Sequence, residues 1–167
     1  MRPRHPERLR TFTYRGLHRY FLTFCTHQRL HHFIEAEAVA LVLEQILRAA
    51  DRESFSVIAY CFMPDHLHLL VEATAVDADG RRFLACAKQL SAYQFARSGR
   101  GRLWQRYGYE RTLREGDGTL SVARYILENP VRAGLAARPA DYMFMGCPAH
   151  SLEAVLEAIA WARPRSG

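Results

Sequence analysis

Two histidines flank a single leucine in the run Tyr60-Cys61-Phe62-Met63-Pro64-Asp65-His66-Leu67-His68-Leu69-Leu70-Val71-Glu72. Side chains of an extended strand alternate between its faces, so His66 and His68 share one face, and Leu67, Leu69 and Val71 share the other. Imidazole is neutral, and able to ligate a metal, above about pH 6.5. Two histidines from one strand hold a divalent ion on two sides and leave the rest of its shell open to a substrate. Taken alone, the pattern fits equally a pair of histidines on a solvated strand face, so the remaining residues must decide.

Tyr125 and Asn129 lie four residues apart in a segment that reads as a helix, and so share one helix face. An amide carbonyl is a hard oxygen donor that suits Mg²⁺ or Mn²⁺ when added to two imidazoles. A tyrosine hydroxyl one helical turn from such an ion is arranged to attack a metal-bound phosphodiester. The product is a covalent phosphotyrosine. That linkage retains the energy of the diester, so rejoining needs no ATP, and the chain has no GxxxxGK[ST] phosphate loop. The spacing alone does not select Tyr125 from eight tyrosines. Tyr93, Tyr107 and Tyr109 lie in or near a basic segment and suit stacking on bases. A competing arrangement puts His66, His68 and Cys61 on zinc in a hydrolase of unrelated substrate.

The charge is concentrated. Arg81, Arg82, Lys88, Arg97, Arg100, Arg102, Arg106, Arg111 and Arg114 face one acid, Glu110, so this stretch carries +8 in a chain of net +6. Such a block is an electrostatic footprint for a polyanion, with a steep salt dependence. The 167 residues suffice for one domain with its own core. No apolar run approaches the ~18–20 residues that span a membrane. The basic N-terminus has no apolar signal region. Cys25, Cys61, Cys86 and Cys147 are widely spaced and read as reduced thiols of a cytoplasmic protein.

These groups need a scaffold. Residues 1–13, rich in Pro and Arg, read as a mobile arm. The aromatic and β-branched run Tyr20–Thr26 predicts a strand. Val39, Val42, Leu43, Ile46 and Leu47 recur at helical spacing within Glu35–Ala50. Phe55–Phe62 and His66–Ala73 predict two strands of a hairpin around Met63-Pro64-Asp65. Arg81–Arg97 predicts a second helix, broken at Gly99–Gly101; Leu103–Leu113 offers a fourth strand. Leu120–Asn129 predicts a third helix, stopped by Pro130, with Gly134 as a left-handed cap beyond it. Ser151 is placed to cap a C-terminal helix. The order β-α-β-β-α-β-α-α begins as an α+β, ferredoxin-like (RRM-like) antiparallel sheet. In that topology helices cover one face and the other stays available to a ligand. The expected division is a basic arm over 1–18, a catalytic domain over 19–145, and a C-terminal helix and tail over 146–167.

Met63-Pro64-Asp65-His66-Leu67-His68-Leu69-Leu70-Val71 resembles the HUH motif (His, hydrophobic, His) of the IS200-like transposases. Leu103-Trp104-Gln105 and Tyr125-Ile126-Leu127-Glu128-Asn129-Pro130-Val131-Arg132-Ala133-Gly134-Leu135 resemble the REP-associated tyrosine transposase branch. Tyr20-Phe21-Leu22-Thr23-Phe24-Cys25-Thr26, with Arg29 and Phe33, resembles its first strand, and the likeness runs from about Tyr20 to Tyr142. The resemblance implies a single-tyrosine endonuclease and strand transferase of single-stranded, hairpin-forming repetitive palindromes. It implies His66 and His68 as metal ligands, Asn129 completing the site, Tyr125 as nucleophile, a 5′-phosphotyrosine and a free 3′-OH. The implied cofactor is Mg²⁺ or Mn²⁺, the partner hairpin DNA, and the working form a monomer rather than the dimer of other IS200-like relatives. Lys88, Arg97, Arg102, Trp104, Gln105 and Arg106 fall where DNA contacts are expected, with Trp104 suited either to base stacking or to the core. A second reading is a hairpin-binding regulator that keeps the fold without the chemistry. After Asp141-Tyr142 the family usually has an aromatic followed by a Ser pair; here Met143-Phe144-Met145-Gly146-Cys147 follows, so the tail is expected to pack or bind DNA differently.

Overall fold

Alternating apolar residues build the centre of the molecule. In the computed structural model, which describes residues 14–107, 109–113 and 118–161, strand β1 (Arg19–Cys25) alternates strictly between buried and half-buried side chains. Helix α1 (Ala36–Arg52) follows, then the hairpin β2 (Phe55–Met63) and β3 (His66–Ala73), turned at Pro64-Asp65. Helix α2 (Gly80–Arg97) is capped by the Asp79 carboxylate, which accepts from the Arg81 and Arg82 amides. It leads to β4 (Tyr109–Leu113) and α3 (Thr119–Leu127). A short helix α4 (Asn129–Arg132), a two-residue strand β5 (Met145–Gly146) and helix α5 (Leu152–Trp161) complete the chain. The sheet order is β4-β1-β3-β2-β5 with every neighbour antiparallel, a ferredoxin-like four-strand sheet extended at one edge.

The sheet has two buried faces. Leu22, Phe24, Leu67, Leu69 and Val71 join α1 and α2 in the larger core. Cys61, Met63 and Leu70 join α3 and α5 in a second one. An irregularity between Val57 and Ala59 shifts the phase of β2, so Val57 faces the first core and Ala59 the second. The histidine face, expected to stand open, is therefore partly roofed by the C-terminal helices. The divergent segment after Tyr142 forms β5 against β2, and the Tyr142 hydroxyl donates to the Phe62 carbonyl at 2.6 Å.

Pro130 does not stop the third helix as expected. Helix α3 ends at Leu127, and Pro130 occupies the first turn of α4, where its missing N–H costs no hydrogen bond. Gly134, at φ 71°, then ends α4, with the Leu135 amide donating to the Pro130 carbonyl at 2.8 Å. The Ala154 amide donates to Ser151 Oγ at the start of α5. Of the expected basic arm, residues 1–13 lie outside the described residues. Tyr14 and Gly16 are tied to the body, with the Gly80 amide donating to the Tyr14 carbonyl and the Gly16 amide to the Ala78 carbonyl.

Candidate active site

Strand register puts His66 opposite Cys25 on β1 and Met63 on β2, and His68 opposite Thr23 and Cys61. Both imidazoles rise from the second face, and their Nε2 atoms stand 3.1 Å apart. His66 Nδ1 lies 2.6 Å from Asp65 Oδ1, and His68 Nδ1 lies 2.9 Å from Thr23 Oγ1. Asp65 Oδ2 is in turn 2.8 Å from Arg29 Nε. Burial opposes ionisation of Asp65, but the His66 hydrogen bond and the Arg29 charge outweigh it and hold the carboxyl below its ordinary range. His68 is only 7% exposed. Burial, reinforced by the charges of His66, Arg132 and Arg29, pushes its imidazole down to about 3, so His68 is neutral at physiological pH.

The tyrosine comes from α3. Ala123, Ile126 and Leu127 turn inward on that helix, which leaves Tyr125 at the rim, 47% exposed. Its ring centroid lies 6.0 Å from that of His68 and 5.8 Å from that of Phe21. The Arg132 guanidinium covers the ring at 4.4 Å from its centroid and also donates to the Tyr125 carbonyl. Asn129 Nδ2 donates to the same carbonyl at 2.9 Å, which uses the amide nitrogen and leaves the amide oxygen as an acceptor. The structure thus brings His66, His68 and Tyr125 together, with Asn129 tied to the Tyr125 carbonyl.

Two imidazoles and an amide oxygen would suit a hard or borderline divalent ion. The zinc arrangement with Cys61 is not supported. The Cys61 side chain is fully buried, its thiol is pushed up to about 12 by burial, and Sγ lies against Met63 Sδ at 3.9 Å. Among the described residues no three His, Cys, Asp or Glu side chains gather as a metal site.

Five of the six expected DNA contacts, Lys88, Arg102, Trp104, Gln105 and Arg106, line an open groove of about 560 Å³ between α2 and the loop before β4. The groove lies on the α2 side of the sheet, whereas the imidazoles rise from the other face; the Gln105 amide ties its loop to the end of β1 by donating to the Cys25 carbonyl. Two of the five are turned to other uses. Trp104 is 5% exposed, packed on Phe24 and Phe33, with its indole N–H donating to Ser91 Oγ at 2.9 Å, so it offers no free face to a base. Lys88 Nζ donates to the Gln105 carbonyl at 3.0 Å, and burial lowers its pKa. Arg97 stands apart from the groove, over the exposed Tyr93 ring at 5.7 Å. Thr23, Asp65, Arg29 and Arg132 were not singled out as site residues from sequence. Asp65 and Arg132 lie inside the two motifs and were visible there; Thr23 becomes visible only through strand register.

The family model described as "Transposase IS200 like" matches residues 15–129, more than half the chain. Among solved structures, a REP-associated tyrosine transposase bound to a REP hairpin superposes with TM-score 0.71 at 19% identity, covering 93% of this chain and 92% of that one. A putative transposase from Deinococcus radiodurans gives TM-score 0.49 at 24% identity, covering 70% and 92%. No curated protein matches. With the family model spanning β1 to β4, the histidine pair and Tyr125, this chain belongs to the IS200-like transposase family, whose members are DNA-processing enzymes.

Proposed function

We propose that the protein is a metal-dependent, single-tyrosine endonuclease and strand transferase of hairpin-forming single-stranded DNA. The observation that carries this reading is the approach of Tyr125 to His68 within one chain, at 6.0 Å between rings. The REP hairpin held by the relative at TM-score 0.71 supports the substrate class. In the proposed reaction the Tyr125 hydroxyl oxygen bonds to the scissile phosphorus and gives up its proton. The bond from phosphorus to the 3′ oxygen breaks, and that oxygen takes a proton to become a free 3′-OH. The 5′ phosphate stays on Tyr125 as a diester, so attack by a 3′-OH reverses the step without ATP. His66, His68 and Asn129 would hold Mg²⁺ or Mn²⁺, which when bound would supply charge neutralisation at the phosphoryl oxygens. Phe21 and Arg132 hold the Tyr125 ring on two sides, which limits its freedom before attack. Arg102 and Arg106 in the groove beside α2 suit DNA phosphates. Because the groups meet in one chain, a monomer suffices for cleavage.

The test is incubation with labelled hairpin DNA from repeats flanking the gene, with Mg²⁺ or Mn²⁺. Wild type gives an SDS-resistant adduct; Tyr125→Phe gives none and still binds the hairpin. Binding without an adduct in either metal points instead to the catalytically silent hairpin-binding regulator.

A further inference from the structure

Resting on the reading that this chain acts on hairpin-forming single-stranded DNA, we propose that the groove beside α2 is a second DNA site. It stacks the bases of an unpaired segment on Tyr93 and Tyr107, away from the bond that is cut. Among the described residues three tyrosines are exposed: Tyr125 in the histidine site, Tyr93 at 58% and Tyr107 at 55%. The last two border the same groove. Its α2 wall carries Lys88, Gln89, Ala92 and Ala96, and Tyr93 follows Ala92, one helical turn beyond Gln89. Its other wall runs from Gly101 to Arg106, and Tyr107 comes next in the chain. Each ring lies near a guanidinium, with Arg97 5.7 Å from the Tyr93 centroid and Arg106 5.5 Å from that of Tyr107.

This pairing suits bases as well as phosphates. A paired stem hides its base faces in its own stack and offers a protein its phosphates, which arginines satisfy and tyrosine rings do not. An unpaired strand presents both π faces for the rings and phosphates for the cations beside them. A base on either ring gains stacking, and the neighbouring guanidinium adds a cation. The cations are Arg97, Arg102 and Arg106. Lys88 is committed to the Gln105 and Arg106 carbonyls, and Arg100 to Glu35 and Glu37 at 2.6 and 3.2 Å. The second wall is preset: the His27 amide donates to the Leu103 carbonyl, the Gln105 amide to the Cys25 carbonyl, and the Trp104 indole to Ser91. Binding there costs little ordering of the protein. The imidazoles rise from the opposite face of the sheet, so the segment held here lies apart from the scissile phosphate.

The experiment uses the full chain without divalent metal and two fluorescent probes. One is an oligothymidylate of about 12 nucleotides, within the span of one such groove; the other is a blunt duplex of the same length. Tyr93→Ala and Tyr107→Ala are each expected to weaken oligothymidylate binding about 5–150-fold by anisotropy, with duplex binding and Tm near wild type. Tyr93→Phe and Tyr107→Phe keep the ring and should bind like wild type. Wild type irradiated with the same oligonucleotide carrying 5-iodouracil should cross-link at Tyr93 or Tyr107, as mapped by mass spectrometry. Oligothymidylate affinity unmoved in both alanine variants, an equal loss on both probes, or cross-links confined to the Tyr125 face overturns the proposal. An adduct at Tyr125 on hairpin DNA without cross-links at Tyr93 or Tyr107 overturns this site and keeps the cleavage reading. Cross-links there without an adduct do the reverse, and absence of binding to any DNA overturns both.

Discussion

Trp104 illustrates how burial decides what an aromatic residue does. In sequence it sits in a basic segment beside Gln105 and Arg106, where stacking on a base is a natural role. In the fold its ring fills the first core and its indole N–H is used by Ser91. Trp104→Ala should therefore cost about 3–5 kcal/mol of stability, seen as a fall in Tm of roughly 10 °C. Trp104→Phe should keep hairpin affinity near wild type; a large loss of affinity at unchanged Tm would restore the stacking role. Burial also governs the thiols. Cys61 is pushed up to about 12 and Cys147 up to about 11, so at pH 8 each holds less thiolate than a free cysteine. Both should resist iodoacetamide in the native protein and react once denaturant is added, as mapped by mass spectrometry. Rapid native alkylation of Cys61 would contradict its placement.

Helix α3 sets the position of the proposed nucleophile. Ala123, Ile126 and Leu127 bury one stripe against the second face of the sheet, and Tyr125 lies off that stripe beside His68. Ile126 is fully buried, so Ile126→Ala should cost about 2–5 kcal/mol by leaving a cavity. Adduct yield in the folded variant should fall further than hairpin binding, because the cavity loosens α3 while the groove lies on α2. Equal losses in both would argue that the helix does not position Tyr125. The break between α3 and α4 matters for the same reason. It lets Asn129 and Arg132 both reach back to the Tyr125 carbonyl, so one turn of backbone ties three site residues together.

Over the whole molecule, Arg102 and Arg106 of the basic block line the groove on the α2 side of the sheet, and Gln105 ties that groove's loop to the end of β1. Hairpin binding should weaken steeply with salt, and removing both arginines should reduce the slope of log K against log salt by about 2, measured by titration at several salt concentrations. A slope unchanged in the double variant would place the phosphate contacts elsewhere. Among the described residues no helix is long and apolar enough to cross a membrane.

Sequence alone determined what is local. Alternation placed β1, β2 and β3 to within a residue or two, because strand side chains repeat every second position. It also put both histidines on one face, and the i, i+4 spacing put Tyr125 and Asn129 on one side of a helix. Tertiary structure decided what depends on contacts between distant segments. The bulge in β2 changed which residues face the second core. The C-terminal helices closed over a face that the simple topology leaves open, and the tail supplied a fifth strand. Trp104 went to the core, and Thr23 became the partner of His68 through register across β1 and β3. Above all, Tyr125 met His68 in the same chain. Local periodicity follows from backbone geometry between neighbouring residues, whereas a meeting of segments far apart in sequence is fixed only when packing of the whole core outweighs the entropy of closing the loops between them.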